Sequence, residues 1–338
     1  MVKRNNLLDI FKLILAVGVI FVHFPFEGPI GNFFASIGTT GVIVFFLISG
    51  YSCYKGENTD NSPTILRRTR RILNLTLVSV LIYLIFTIIE KATLGTIAEW
   101  ASTYFTNPLF YLRLIVLGDF EFIHGDHLWF LLALLYGYLI MYLVEKKRLR
   151  KPLAIALPFL ILLRIGMETY TNSFGADWHL SGNVLVGALP MLALGYFIHA
   201  KEESLLKIEG RYWISALILS YILMYYAVNN KAFGLDISQI FKVSTAALSF
   251  LCCLSYPTLI KDNLIAAFGR WGSLYIYVFH YLIGVLLKDI FMANGITGDF
   301  YSTHFPWIVV GVSLLFAALL ALAETRLLPK LKHKANKA

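Results

Sequence analysis

The chain has 338 residues, 58% of them hydrophobic and 14% charged, with a mean hydropathy of +0.70. A soluble domain averages about 45–50% apolar and about 25% charged residues, so these figures exclude an ordinary water-soluble enzyme and, equally, a disordered or collagen-like chain. The 29 Lys and Arg against 20 Asp and Glu leave a net charge of +9, which in a soluble protein would point to nucleic acid and in a membrane protein to a cytoplasmic rim.

Apolar stretches of about 17–25 residues recur from end to end. Ten spans are read from them: 8–24, 33–54, 72–92, 128–144, 152–168, 182–199, 212–229, 241–260, 272–292 and 305–325. The bilayer core offers the backbone no water, so each is expected to be a helix. Runs this long and continuous do not suit the alternating strands of an outer-membrane barrel. The expected fold is all-α, a polytopic helical bundle forming a single membrane domain over 1–338, with no fused soluble domain.

The chain opens with MVKRNN before its first apolar run. Asp9 and Lys12 interrupt that run and no small-residue cleavage site precedes HFPFEGPIG, so it reads as an uncleaved span rather than a signal peptide. Ionisable groups inside a bilayer are costly and tend to mark function. Lys12 and His23 are separated by about 1100° of helix, near three full turns, so they share a face about 16 Å apart along the axis. The structural alternative has Lys12 snorkelling or pairing with Asp9, and His23 standing as an interfacial histidine before Pro25.

Before the third span lies RRTRR at 67–71. Arg68 and Arg71 face the same way if the helix starts there, and guanidinium forks suit phosphate; plain anchoring of an inner loop explains the cluster as well. The longest outer loop, about 93–127, carries Trp100, Tyr104, Phe105, Phe110 and Tyr111 and is expected to lie on the bundle or the interface. Its end, DFEFIHGDHLWF, supplies Asp119, Glu121, His124, Asp126 and His127. These are read as groups lining an aqueous pocket near His23, with Trp129 as an interface anchor or sugar-stacking ring. No metal is expected, because His124 and His127 lack the spacing of a metal-binding motif.

Further along, Arg164 and Glu168 stand at i and i+4 and are expected to neutralise each other. Pro190 is expected to break the sixth helix. Cys53, Cys252 and Cys253 all fall within spans and imply no disulfide framework. In the ninth span, GRWGSLYIYVFHYLIG, Ser273, Tyr277 and His280 form one polar stripe, which either binds substrate or bonds to neighbouring helices.

With the N-terminus placed inside, the inner segments hold 22 of the Lys and Arg residues and the outer segments only Arg113 and Lys231. That asymmetry is a positive-inside signal. It puts both termini in the cytoplasm, agrees with the basic tail KLKHKANKA, and removes nucleic acid as a partner.

Several of these stretches, in order, resemble the acyltransferase family 3 membrane enzymes. LDIFKLILAVGVIFVHF resembles the family's first span, a basic residue and then His after ten residues, with Lys12 where Arg is usual. FFLISGYSCYKG is similar to its second-span ending, Arg68-Thr69-Arg70-Arg71 to its inner Arg-x-x-Arg, HLWFLLALLYGYL to its fourth span, and GSLYIYVFH to its late Ser-x-x-x-Tyr-x-x-His. The resemblance implies a multi-pass plasma-membrane O-acyltransferase that moves an acyl group, acetyl first of all, from cytoplasmic acyl-CoA to a hydroxyl of an extracytoplasmic glycan or lipid-linked sugar. It implies His23 as the catalytic histidine with Lys12 in the arginine's place, and Arg68 and Arg71 at the acyl-CoA. Asp126, His127, Trp129, Ser273, Tyr277 and His280 are the candidate substrate contacts. Membrane lipid surrounds such an enzyme, and a separate extracytoplasmic protein is a further expected partner where no such domain is fused. The competing reading is a transporter or exporter of a glycan or amino acid that uses the same polar interior, as some relatives have been assigned.

Overall fold

The computed structural model describes residues 4–230 and 234–324. Lys3, Lys231, Arg326 and the tail KLKHKANKA, counted above for topology, lie outside the described residues. Among the described residues the structure is helical, without strands. In chain order the helices are α1 (Asn6–His23), α2 (Pro29–Tyr51), α3 (Ser62–Thr93), α4 (Ile97–Phe105), α5 (Pro108–Leu112), α6 (Trp129–Lys146), α7 (Arg150–Phe174), α8 (Leu189–Ala200), α9 (Glu202–Leu205), α10 (Gly210–Asn229), α11 (Ser238–Ser255), α12 (Leu264–Ala293) and α13 (Asp299–Leu322).

Nine helical segments among the described residues are long and apolar enough to cross a membrane. The tenth, expected at 182–199, is the shorter apolar helix Val184–Ala200. It opens with a π-helical turn at Val184–Ala188, and Pro190 stands in the first turn of α8. Proline has no N–H to offer the carbonyl four residues back, and Arg164 of α7 takes over that duty: its Nη1 lies 3.3 Å from the Val186 carbonyl oxygen and 2.7 Å from that of Gly187. The same guanidinium pairs with Glu168, as its spacing suggested. α3 starts ten residues earlier than expected, because the polar run at 62–71 lowers hydropathy without breaking the helix.

Two compact units are distinguished, Met1–Gly41 with Cys252–Ala338, and Val42–Leu251, so far as these residues are described. In the first, α1 packs on α12, and α13 packs on both. Asn5 caps α1, accepting from the Leu8 N–H at 3.0 Å, while its amide donates to the Cys253 carbonyl at 2.6 Å. Glycines set the closest approaches. A Cβ on Gly269 would collide with the Asp9 carbonyl, and one on Gly18 would lie 3.0 Å from Gly38 Cα. Gly269→Ala is therefore expected to lower the apparent melting temperature and the yield of monodisperse protein, overpacking of this kind costing about 1–3 kcal/mol. Gly166→Ala, where a Cβ meets nothing within 4 Å, should leave both unchanged.

In the second unit α3 packs on α6, and α6, α7 and α8 surround the π turn. One face of α3 is buried through Ile65, Thr69, Ile72, Thr76, Ser79, Tyr83 and Thr87. The hydroxyls of Thr69, Thr76 and Ser79 bond back to carbonyls four residues earlier, so these three donors are met within the helix, whereas the Thr87 hydroxyl on the same face has no hydrogen-bond partner among the described residues. The opposite face is apolar and bare, with Leu77 and Ile89 each 61% exposed, as a lipid-facing surface requires. In the outer segment, Phe105, Phe110 and Phe122 pack edge to face on one another, with ring centroids 4.9–6.1 Å apart.

Candidate active site

The first unit brings His23 and His280 together. His23 ends α1 half-buried, and its ring centroid lies 5.2 Å from that of His280 and 5.4 Å from that of Tyr281, both on α12. His280 is fully buried, with Nδ1 2.8 Å from the Tyr277 carbonyl oxygen and 3.1 Å from that of Ile276. Two acceptors at that nitrogen place its proton on Nδ1 and make Nε2 the acceptor. Ser273 and Tyr277, the rest of the stripe, are buried on the same helix. Position 280 thus carries an oriented imidazole, and position 23 a neighbouring one with greater exposure.

About 16 Å away along α1, Lys12 Nζ lies 2.6 Å from Asp9 Oδ1. Arg270 Nε holds the other oxygen of Asp9 at 2.9 Å and reaches Asn6 and Asp262 through Nη2. Lys12 is thus one arm of a polar network, centred on Asp9 and Arg270, that fastens α1 to α12, and it lies at the other end of α1 from His23.

The second unit holds the remaining candidates. Arg68 is half-buried beside Tyr138, whereas Arg71, one turn later, is exposed. His127 is buried with its Nε2 3.2 Å from the Tyr83 hydroxyl, so Tyr83 and the core hold the imidazole. His124, left-handed at φ 54°, instead places Nε2 2.8 Å from Glu90 Oε2. The two histidines therefore go to different partners. Trp129 is half-buried and meets Trp178 edge to face at 6.0 Å, and Asp126 is half-buried beside it in sequence.

A family model described as an acyltransferase domain matches residues 5–323. The chain belongs to the acyltransferase 3 family. It is a multi-pass membrane acyltransferase, as its long apolar helices and this match together require. No curated protein and no solved structure matches it.

Two charged residues of this acyltransferase carry little signal in the sequence. Arg270 reads as one more inner-rim charge, because nothing local ties it to Asp9. Glu145 is masked by the basic KKR at 146–148. It is 7% exposed and accepts from Tyr196 at 2.6 Å, from Arg150 Nη2 at 2.6 Å and from Arg150 Nε at 2.9 Å. Asn61 joins them, donating to Glu145 at 3.3 Å and to Tyr196 at 3.1 Å.

Proposed function

We propose that this acyltransferase moves an acyl group, acetyl in the first instance, from cytoplasmic acyl-CoA to a hydroxyl of an extracytoplasmic glycan or lipid-linked sugar at the plasma membrane, with His23 as general base. In the transfer His23 takes the proton of the acceptor hydroxyl and its oxygen attacks the thioester carbonyl. The C–S bond breaks and the CoA thiolate leaves, taking up the proton. A positioned base of this kind contributes about 10²–10⁴-fold. The observation that carries the reading is the pairing of His23 with His280, in a chain whose family membership is established.

Other roles follow from burial and charge. Arg68 and Arg71 meet the phosphates of the donor, a match of guanidinium to phosphate. Lys12, tied to Asp9, positions α1 on α12. Trp129 offers a ring face to a sugar and Asp126 a carboxylate to its hydroxyls. Ser273 and Tyr277, buried on α12, back the His23–His280 pair in the first unit, His127, buried, backs Trp129 and Asp126 in the second, and His280 orients His23.

The test is transfer in proteoliposomes, with acetyl-labelled acetyl-CoA on the cytoplasmic side and a hydroxyl-bearing glycan acceptor on the other. Label is expected on the acceptor, with release of free CoA in equal amount. Acceptor flux without acyl-CoA and without label transfer would overturn the proposal in favour of transport.

A further inference from the structure

In the second unit, two short turns and the residue after a left-handed glycine carry a cluster that acyl transfer does not explain. Gly118, at φ 72°, closes the π turn Arg113–Leu117 and delivers Asp119. Asp126 opens the 3-10 turn Asp126–Leu128, and His179 sits in another, Trp178–Leu180. One carboxylate oxygen from each aspartate and one imidazole nitrogen lie within 4.8 Å of one another. Ligand atoms on a common tetrahedral zinc at about 2.0–2.2 Å stand about 3.3–3.6 Å apart, so binding draws the widest pair inward by at most about 1.5 Å.

The imidazole is built to be a ligand. His179 is 4% exposed and stacks on Trp178 with ring centroids 3.9 Å apart. Its Nδ1 lies 2.8 Å from Asp177 Oδ1, which also accepts the His179 backbone N–H at 3.0 Å. The other oxygen of Asp177 accepts from Arg113 Nη1 at 2.7 Å, so the carboxylate presents an acceptor to Nδ1 and the His179 proton sits there. Arg113 Nη2, 3.4 Å from the same nitrogen, is too distant to compete. Nε2 is then a bare lone pair, buried without a hydrogen-bond partner among the described residues and 3.7 Å from Asp119 Oδ1.

Asp126 Oδ1 is likewise buried without a hydrogen-bond partner among the described residues. Two lone pairs of the cluster, on His179 Nε2 and Asp126 Oδ1, are thus buried without a donor among the described residues, an arrangement that is costly unless a cation stands there. The neighbouring guanidinium is already committed: Arg113 Nε donates to Asp119 Oδ2 at 2.8 Å and Nη1 to Asp177 Oδ2 at 2.7 Å. Asp119 Oδ1 accepts one further bond, from the Glu121 N–H at 3.2 Å, and keeps a lone pair.

We propose that Asp119, Asp126 and His179 bind one divalent first-row metal ion, of the zinc or manganese class, through one oxygen of each aspartate and Nε2 of the histidine. Imidazole with carboxylate selects such ions over softer or harder ones. Asp177 supplies the carboxylate that orients a metal-bound histidine. Three protein ligands leave at least one position for water, and the ion ties the segment before α6 to the segment after α7. This site shares Asp126 with the acceptor contacts proposed above and otherwise rests on its own geometry.

The test uses the full chain in detergent, stripped with chelator and titrated with zinc or, separately, with manganese. One ion per chain is expected, and the manganese-loaded protein should show an electron-spin-echo nitrogen coupling from one imidazole. His179→Gln should abolish that coupling and weaken binding at least about tenfold. Asp126→Asn should weaken binding as much while retaining the coupling, and Glu99→Gln, at an exposed acid on α4, should change neither. Binding that is the same in all variants, or manganese bound without nitrogen coupling, overturns the proposal. Should the variants fail to fold, the coupling in the unaltered protein decides alone.

Discussion

Replacing His23 with alanine is expected to slow acyl transfer about 10²–10⁴-fold while leaving the protein folded and its affinity for acyl-CoA unchanged. The chemistry asks for a base at the acceptor hydroxyl, and His23 is the half-buried member of the imidazole pair. His280 is fully buried and bound to its own helix backbone, so His280→Ala should disturb how His23 is set rather than remove the base. The measurement is single-turnover transfer of labelled acetyl in proteoliposomes, alongside acyl-CoA binding by calorimetry. A His23→Ala protein that transfers label at the wild-type rate would falsify the role assigned to it.

A second large effect concerns stability. Glu145→Ala is expected to destabilise the second unit by about 3 kcal/mol, near the lower end for breaking a buried ion pair, because Arg150 retains some exposure. The Glu145 side chain is 1% exposed and that of Arg150 26%. Truncation strands the guanidinium, whose other hydrogen bonds among the described residues go to the carbonyls of Glu57 and Thr59, and leaves the Tyr196 hydroxyl without its acceptor. Removing both charges in Glu145→Ala/Arg150→Ala should cost less than the two single changes added together, as residues in one network couple. Apparent melting temperatures in detergent read the cycle, and strict additivity would show that the pair contributes nothing beyond packing.

The residues differ in how far they could be read from sequence. Spans such as α1 and α10 are legible because bilayer length and hydropathy dictate them. Local pairs are legible too: Arg164 with Glu168, and Lys12 with Asp9, follow from helical spacing alone. The start of α3 was not, because RRTRR depresses hydropathy at a place where helix formation does not depend on it. Nor was the coming together of His23 and His280, since no periodicity connects side chains on helices at opposite ends of a chain. The same holds for Asp119, Asp126 and His179, which two separate turns assemble and whose spacing matches no metal motif. Arg68 and Arg71 show a further limit: sequence puts them on one helix face, and only packing distinguishes the half-buried one from the exposed one.

The network at Asp9 bears on the order in which the chain is made. Lys12 is three residues from Asp9, so the two pair as soon as the first helix forms, and that helix enters the bilayer with its acid already neutralised. Arg270 lies 261 positions later. At about 5–20 residues per second of synthesis it arrives on the order of ten to fifty seconds after its partner, and His280 follows it. The N-terminal helix must therefore wait in the membrane, self-compensated, for the helix that completes its histidine pair. A nascent chain interrupted anywhere before that point carries His23 without its neighbour.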